Sequence, residues 1–239
     1  MKNLRCFLLI CFFGFSLNAQ SLEVVYGVST ELSLTKEQLE KIPAQIREDY
    51  KQSFTNLKHI KYILQIKNTT SLFKMQESMK NEALRGFAFT KVMAGFSGTY
   101  YNNYQKDIAL NQVNAFGRDF IIRSKMKNMK WKLSKEQKTI KGFNVYKARG
   151  FETIKNNSGE HEIPIIAWYT PEINLPVGPA NYGNLPGLIL ELERNKKTYT
   201  VESIEEKENI EIERPSKGKR VTQAEFEEIG AKVMKNLGN

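Results

Sequence analysis

The sequence predicts an α+β protein, with a curved, mostly antiparallel sheet or half-open barrel, an N-terminal helix and a C-terminal helix. Three observations support this fold class. Short segments rich in β-branched and aromatic residues follow one another along most of the chain. Residues that favour turns separate these segments at spacings typical of hairpins. Near each end of the chain, a helix start signal precedes apolar residues at helical spacing.

The sequence pattern of the N-terminal part predicts a strand, a helix and a second strand. The first strand is expected at residues 22–30, and the helix is expected to begin after Thr35, which forms a capping box with Gln38. Pro43 interrupts the helical pattern, because proline lacks the N–H group and clashes with the preceding turn. Polar and apolar residues alternate over residues 57–67, which predicts a strand with one buried face.

The sequence pattern of the rest of the chain predicts a series of short strands and a final helix. Residues 80–95 contain two glycines in a mixed pattern and are predicted to form a lid-like loop that can include a helical turn. A second capping box, Thr222 with Glu225, precedes Phe226 and Ile229 on one face of the predicted C-terminal helix. Strands are predicted at residues 69–79, 98–105, 107–114, 119–125, 129–134, 141–153, 162–169, 187–193, 198–203 and 210–213.

A proline-rich segment, residues 167–193, dominates the organisation of the chain. Together with Pro164 just before it, the segment holds five of the seven prolines, and it connects a strand ending near Tyr169 to one beginning near Gly187. Because each proline fixes its φ angle and lacks a donor, the segment is predicted to be an ordered, extended connection. Its apolar side chains favour either a structural plug over one mouth of the sheet or a functional loop.

Three pieces of this segment form a pattern. They are Ala-Trp-Tyr-Thr at 167–170 with Glu172 and Ile173, then Gly178-Pro179, then Leu-Pro-Gly-Leu-Ile-Leu-Glu at 185–191. The pattern resembles the signature of the GLPGLI family, exported proteins of Bacteroidota without an assigned function. Asn184 stands where the signature has glycine, and Asn174-Leu175 is inserted before Pro176. The resemblance implies a single domain over residues 20–239.

The resemblance also marks the candidate binding residues. Aromatic residues of the segment could line an apolar groove, together with Tyr100 and Tyr101, or could belong to an ordinary core. Trp131 is expected to belong to the core. The candidate binding residues are Trp168, Tyr169, Thr170, Glu172, Gly178, Pro179, Tyr182, Leu185, Pro186, Gly187 and Glu191.

Residues 1–19 have the pattern of a secretory signal peptide. Lys2 and Arg5 precede an apolar stretch, and a small residue, Ala19, suits cleavage there or after Gln20. Both cysteines of the chain lie in this segment. The mature protein is therefore expected to be exported to the periplasm or the outer membrane, without a disulfide, a thiolate nucleophile, a cysteine metal site or a transmembrane segment.

The basic charge has two interpretations. The chain has 36 basic and 26 acidic residues, and a net charge of +8 remains after Lys2 and Arg5 are removed from its +10. Nucleic acid is not an expected partner, because an exported protein rarely meets it. The lysines are expected to solvate the surface, or to attract an anionic lipid, a polysaccharide or an acidic partner.

Catalytic signals are sparse. The chain has only two histidines, His59 and His161, and it lacks the usual nucleophile, phosphate-binding and zinc motifs, so neither a metal nor another cofactor is predicted. Glu172 and Glu191 border the proline-rich segment, where they could act as the carboxylate pair of a hydrolase or could bind backbone N–H groups.

The sequence favours an exported, non-enzymatic binding or assembly factor of the periplasm or outer membrane. Its groove would be bordered by the proline-rich segment and would hold an apolar ligand, a peptide or an outer-membrane partner. The family resemblance suggests a TonB-dependent receptor as that partner. The alternatives are a hydrolase that uses Glu172 or Glu191, and an envelope-surface protein that binds anionic lipid or polysaccharide.

Overall fold

A computed structural model describes residues 21–31, 35–126, 129–156 and 159–237. The predicted signal peptide, residues 1–19, lies outside the described residues. The strands are β1 (Ser21–Thr30), β2 (Lys61–Lys67), β3 (Thr70–Met75), β4 (Thr99–Asn103), β5 (Ile108–Ala115), β6 (Arg118–Ser124), β7 (Lys132–Ile140), β8 (Phe143–Asn156), β9 (Gly159–Thr170), β10 (Leu188–Arg194), β11 (Lys197–Glu206) and β12 (Lys219–Thr222). The helices are α1 (Lys36–Glu40), α2 (Ala44–Asn56), α3 (Met79–Glu82), α4 (Phe87–Ala94) and α5 (Gln223–Leu237).

All twelve strands belong to one sheet, in the order β12-β6-β5-β4-β3-β2-β1-β11-β10-β9-β8-β7. Each neighbouring pair of described strands is antiparallel except β12 with β6, which is parallel. The structure therefore confirms a strand-rich, mostly antiparallel sheet with few helices. No helix in the described ranges is both long and apolar enough to cross a membrane.

The two faces of the sheet follow from the alternation of side chains along each strand. In β2 the apolar residues Tyr62, Leu64 and Ile66 are buried, while the residues between them are partly exposed, as the sequence predicts. We call the face that carries the rings of Tyr26, Tyr62, Phe73 and Tyr199 the inner face. The opposite face, which carries Lys61, Trp168, Glu191 and Glu202, is the outer face.

Buried tyrosines of the inner face bind backbone carbonyl groups. The hydroxyl of Tyr199 donates to the carbonyl oxygen of Ala94 at 2.7 Å, and that of Tyr62 donates to Phe96 at 3.0 Å. The hydroxyl of Tyr26 donates to Ile189 at 2.7 Å, beside the bulge in β10. Carbonyl groups at a helix end lack intrahelical partners, so Tyr199 satisfies such a group at the end of α4 and holds α4 on the sheet.

Residues 80–95 are more helical than predicted, because two helices, α3 and α4, occupy most of a stretch where the sequence predicts a loop with a helical turn as an option. Gly86 precedes α4 with a φ angle of 75°, and α4 packs against α2 through Tyr50 and Phe89, whose ring centres are 5.9 Å apart. Ser53 of α2 donates to the sulfur of Met93 at 2.8 Å. The sequence gives only a weak helical signal here because α4 is short and is stabilised by this tertiary packing.

Three strand predictions were also wrong in position. The strand predicted at 57–67 begins at Lys61, because Leu57–His59 forms a turn of 3-10 helix. The strand predicted at 129–134 lies instead at Lys132–Ile140, where its charged residues suit an exposed edge. Residues 210–213 are not a strand, and the last strand is β12.

The helix boundaries follow the local sequence signals. Thr35 and Gln38 form the capping box at α1, with hydrogen bonds of 3.0 and 3.2 Å between side chain and backbone. Pro43 separates α1 from α2, as its missing N–H requires. Thr222 and Glu225 form the second capping box at the start of α5. Phe226 of α5 packs on Phe120, with ring centres 5.3 Å apart.

The buried tyrosines lead us to expect a loss of stability in alkali. Burial raises the pKa of Tyr100 to about 12. Burial also raises the pKa values of four other inner-face tyrosines, Tyr26, Tyr62, Tyr182 and Tyr199. The unfolded chain releases these protons near pH ~10, so the stabilisation is complete below that pH and falls as pH rises through the native values.

The measurement is urea denaturation across an alkaline pH series, with tyrosinate absorbance recorded in parallel. We expect the free energy of unfolding to decrease steadily above pH ~10, while the buried tyrosines ionise only as the protein unfolds. A free energy of unfolding that stays constant over this range would contradict the expectation.

Candidate functional site

The proline-rich segment connects β9 to β10 and packs closely on the sheet. The backbone N–H of Leu188 donates to Ile173, and that of Ile189 donates to Val177, both at 3.0 Å. Val177 also forms a β-bridge with Gly183. Gly178, Pro179 and Leu185 are buried and Pro186 is exposed. The segment is therefore part of the core, which agrees with the plug interpretation.

Two positions of the segment need unusual backbone angles. Gly187 has a φ angle of 149°, and a Cβ atom there would lie 1.9 Å from the backbone oxygen of Thr170. Asn184 has a φ angle of 61°, in the left-handed region that asparagine tolerates better than most residues. Asparagine in place of the family's first glycine is therefore compatible with this turn.

A cavity of about 850 Å³ opens on the inner face next to this segment. One wall comes from β4, β5 and β6, and another comes from β8, β9 and β10. Residues of α5 complete it. Its apolar lining includes Phe96, Tyr100, Met129 and Phe226, and its polar lining includes Asn111, Ser124, Asn181 and Gln223.

A cluster of three polar side chains lies at the cavity wall. The hydroxyl of Tyr182 donates to Oε2 of Glu152 at 2.7 Å. Nε of Arg194 donates to the same oxygen at 2.7 Å and to the hydroxyl of Tyr182 at 2.8 Å. Both charged side chains are largely buried, with exposed fractions of 26% for Arg194 and 15% for Glu152.

The electrostatics of this cluster keep its charges fixed. Burial by itself would lower the pKa of Arg194. The hydrogen bonds and electrostatic attraction to Glu152 and Tyr182 have a larger effect, so the arginine pKa is raised. Burial raises the pKa of the Tyr182 phenol, against the influence of Arg194. Lys197 is partly buried near Arg194, and its pKa is lowered by burial first and by that charge second. The cluster therefore presents an arginine cation and a neutral phenol across the neutral pH range.

The predicted site residues are divided between the two faces of the sheet. Tyr182 contacts the cavity wall through Glu152 and Arg194. Tyr169 is buried beside Tyr146, and Thr170 is buried at the end of β9. Trp168 lies on the outer face, where Nζ of Lys138 is 4.3 Å from the centre of the indole ring. The structure does not gather these residues into one groove.

Trp131, which directly precedes β7, binds the proline-rich segment. Its Nε1 donates to the carbonyl oxygen of Gly183 at 2.9 Å, and its ring packs beside Gly150. It is partly buried and packs against the main core, as expected from the sequence.

The two candidate carboxylates each have structural partners. Glu172 accepts the backbone N–H of Asn144 at 2.9 Å, so it binds the start of β8 rather than the proline-rich segment. Glu191 accepts Lys138 at 2.5 Å with one oxygen and the hydroxyl of Thr200 at 3.1 Å with the other. Neither arrangement leaves a carboxylate positioned towards the inner-face cavity.

Sequence reasoning missed Glu152 and Arg194. Strand alternation contains a signal for both, because Leu192 and Ala148 face inward and every second residue shares that face. Arg194 is two residues after Leu192, and Glu152 is four residues after Ala148. Within the described residues, no group of three histidine, cysteine, aspartate or glutamate side chains could hold a metal ion.

Comparisons with known proteins identify the fold and a short family match. A family model described as a protein of unknown function (Porph_ging) matches residues 155–191, which include most of the proline-rich segment. No curated protein matches the chain. A structure of PNGF-II in space group C2 has a TM-score of 0.54 at 16% identity, over 88% of this chain and 32% of that chain.

A second structure of PNGF-II, in space group P21, has a TM-score of 0.53 at 17% identity, over 88% of this chain and 33% of that chain. The chain thus spans about a third of the length of PNGF-II. The protein has a PNGF-II-like fold, a large strand-rich sheet with few helices.

The close approach at Gly187 leads to a test of the segment's packing. Gly187→Ala forces a Cβ atom against the backbone of Thr170, whereas Gly142→Ala meets nothing within 4 Å, although Gly142 also has a positive φ angle of 86°. We expect Gly142→Ala to lower the free energy of unfolding by about 1 kcal/mol. Gly187→Ala should lower it by about 3 kcal/mol or more. Equal losses in urea denaturation would show that the contact with Thr170 is unimportant.

The contacts of Glu191 and Glu172 predict structural effects on substitution. Glu191→Gln removes the ion pair with Lys138 and leaves at most a hydrogen bond to a neutral amide oxygen, and we expect a loss of about 1–3 kcal/mol in the free energy of unfolding. Glu172→Gln should cost about 1 kcal/mol, because the amide oxygen still accepts a weaker hydrogen bond from Asn144.

The control for this pair is Glu208→Gln, which changes an exposed carboxylate and should alter stability by less than about 0.5 kcal/mol. Thermal and urea denaturation measure all three variants. Unchanged stability of Glu191→Gln and Glu172→Gln would remove the structural explanation for both carboxylates.

Proposed function

We propose that the chain is an exported, non-enzymatic binding protein of the bacterial envelope that holds a peptide segment of a partner protein in its inner-face cavity. The observation that carries this proposal is the cavity of about 850 Å³ beside the Tyr182, Glu152 and Arg194 cluster. Its volume lies in the range of ligand sites, roughly 300–1,000 Å³.

The lining of the cavity suits a peptide better than a purely apolar ligand. Aromatic and aliphatic side chains, including Phe96, Tyr100 and Met129, can contact the side chains of a peptide. Asn111 and Asn181 can exchange hydrogen bonds with its backbone. Arg194 is already paired with Glu152, so a long hydrocarbon chain would be placed against an ion pair that it cannot solvate.

The proposal includes a curved sheet with helices that close the cavity. Strands β4–β6 and strands β8–β10 lie in separate parts of the strand order, yet both line the same cavity. Curvature of the sheet towards its inner face accounts for this approach. The segment after α4 and the start of α5 then border the cavity on two sides.

A binding role accounts for the carboxylates better than a hydrolase does. Glu172 and Glu191 are occupied by Asn144, Lys138 and Thr200. Glu152 is hydrogen-bonded to a tyrosine and an arginine, which suits a rigid wall. The hydrolase hypothesis has no comparable support from these contacts.

The envelope location and the partner belong to the same proposal. The signal-peptide pattern of residues 1–19 supports export. The fold corresponds to about a third of the longer PNGF-II chain, so the same fold also occurs together with further protein domains. An outer-membrane protein such as a TonB-dependent receptor remains the proposed source of the peptide.

The test uses a random peptide library displayed on phage and the purified chain, residues 20–239. Selected peptides are then measured by calorimetry against two variants. Asn181→Trp places a large ring in the cavity lining, and Asn144→Trp makes the same change at an exposed asparagine outside that lining.

We expect wild type and Asn144→Trp to bind the selected peptides equally, and Asn181→Trp to bind at least tenfold more weakly, a difference of about 1.4 kcal/mol. Circular dichroism confirms that each variant is folded. Failure to select any peptide, or equal binding by both variants, would overturn the proposal. If the chain instead binds a saccharide on a glycan array, and Asn181→Trp abolishes that binding, the ligand of the cavity is a glycan and not a peptide.

A further inference from the structure

A second pocket, lined by three arginines, lies on the outer face of the sheet. Arg123 is in β6, Arg220 is in the neighbouring strand β12, and Arg214 is in the segment that leads to β12. The pocket has a volume of about 240 Å³. Its apolar floor includes Leu110 and Ile121. It does not involve the polar cluster of the inner-face cavity and is independent of the proposed peptide binding.

The strand register brings two of these arginines together. β12 is parallel to β6, with Arg220 opposite Ile121 and Thr222 opposite Arg123. Because side chains alternate along a strand, Arg123 and Arg220 lie on the same face. Leu110 of β5 pairs with Arg123 of β6, so the two arginines lie on the same face as Leu110. Leu110 belongs to a small apolar cluster with Tyr101 and Ile121, which we call the outer cluster.

The segment between β11 and β12 adds the third arginine. Ile212 packs on the outer cluster of Tyr101, Leu110 and Ile121. Lys67 Nζ donates to the carbonyl oxygen of Ile210 at 2.8 Å. These contacts hold the segment against the sheet, so that Arg214 and Pro215 border the pocket.

The three guanidinium groups form no ion pair with any carboxylate of the described residues. Arg85, Arg149 and Arg194 each form an ion pair, but across the described ranges no aspartate or glutamate pairs with Arg123, Arg214 or Arg220. This contrast within one protein indicates that the pocket has an excess of positive charge.

Glu225, a carboxylate that lines the pocket, already has hydrogen-bond partners. Glu225 accepts the backbone N–H of Thr222 at 2.7 Å and its hydroxyl at 2.9 Å. These hydrogen bonds, with the nearby charge of Lys219, hold the pKa of Glu225 below its usual range. Glu225 therefore serves the capping box of α5, whose N-terminus adds a further positive potential beside the pocket.

We propose that Arg123, Arg214 and Arg220 form a binding site for a phosphate monoester group, carried either by a small soluble molecule or by a lipid headgroup. Guanidinium groups bind phosphate oxygens through paired hydrogen bonds, and three of them around a small pocket match its several oxygens and its charge. The small volume selects a compact anionic group rather than an extended chain.

The test measures binding of inorganic phosphate to the purified chain by calorimetry at constant ionic strength, because exposed charges are screened by salt. The variants are Arg123→Gln, Arg214→Gln and Arg220→Gln. Arg118→Gln is the matched control, since Arg118 is an exposed arginine of the same strand β6 and does not line the pocket.

We expect wild type and Arg118→Gln to bind phosphate with the same dissociation constant, of about 1 mM or lower. Each pocket variant should bind roughly tenfold or more weakly, because it loses hydrogen bonds to a charged group. Circular dichroism verifies the fold of each variant. Absence of binding in wild type, or equal weakening by Arg118→Gln, would overturn the proposal.

Vesicles of phosphatidylcholine with and without phosphatidic acid distinguish the two sources of the group. Binding that needs both phosphatidic acid and the three arginines identifies a lipid headgroup. Phosphate binding without any binding to these vesicles identifies a soluble phosphate monoester. Vesicle binding that persists in all three pocket variants would contradict a role for this pocket at the membrane surface.

Discussion

The inner face of the sheet depends on buried tyrosines whose hydroxyl groups need partners. A phenol can be buried at low energetic cost only when its hydroxyl is hydrogen-bonded. Tyr62 and Tyr199 find these partners at Phe96 and Ala94, at the end of α4, and Tyr26 finds one at Ile189 in β10. The same bonds that satisfy the hydroxyls therefore fix the position of α4 and the bulge of β10. These two elements flank the cavity and the proline-rich segment.

The two faces of the sheet serve different physical purposes. On the inner face, Tyr182, Glu152 and Arg194 satisfy one another, so a charged pair can remain in a largely buried wall. On the outer face, Lys138 contacts both Trp168 of β9 and Glu191 of β10, and so connects edge strand β7 to two strands that lie beyond its neighbour β8. The motif residues of the outer face thus have contacts that explain their presence without a ligand. The proposed peptide site uses the cavity of the inner face, and the proposed phosphate site uses an arginine pocket in a different part of the outer face.

The comparisons concern the fold and one short segment of the chain. The matched family segment, residues 155–191, contains Tyr182 and the core of the proline-rich segment but ends before Arg194. The likeness to PNGF-II extends over 88% of the chain at 16% identity, so it concerns the arrangement of the strands.

The sequence by itself determined the features that depend on neighbouring residues. It predicted the alternation of β2, the capping boxes at Thr35 and Thr222 and the break at Pro43, because each involves groups within a few positions of one another. Tertiary structure alone decided the rest. Helix α4 is held by contacts from distant strands, and β12 pairs with β6 about a hundred residues earlier. Arg194 meets Glu152 across 42 positions of the chain. Such contacts depend on strand order and register, and local sequence patterns carry no information about which distant residues will meet.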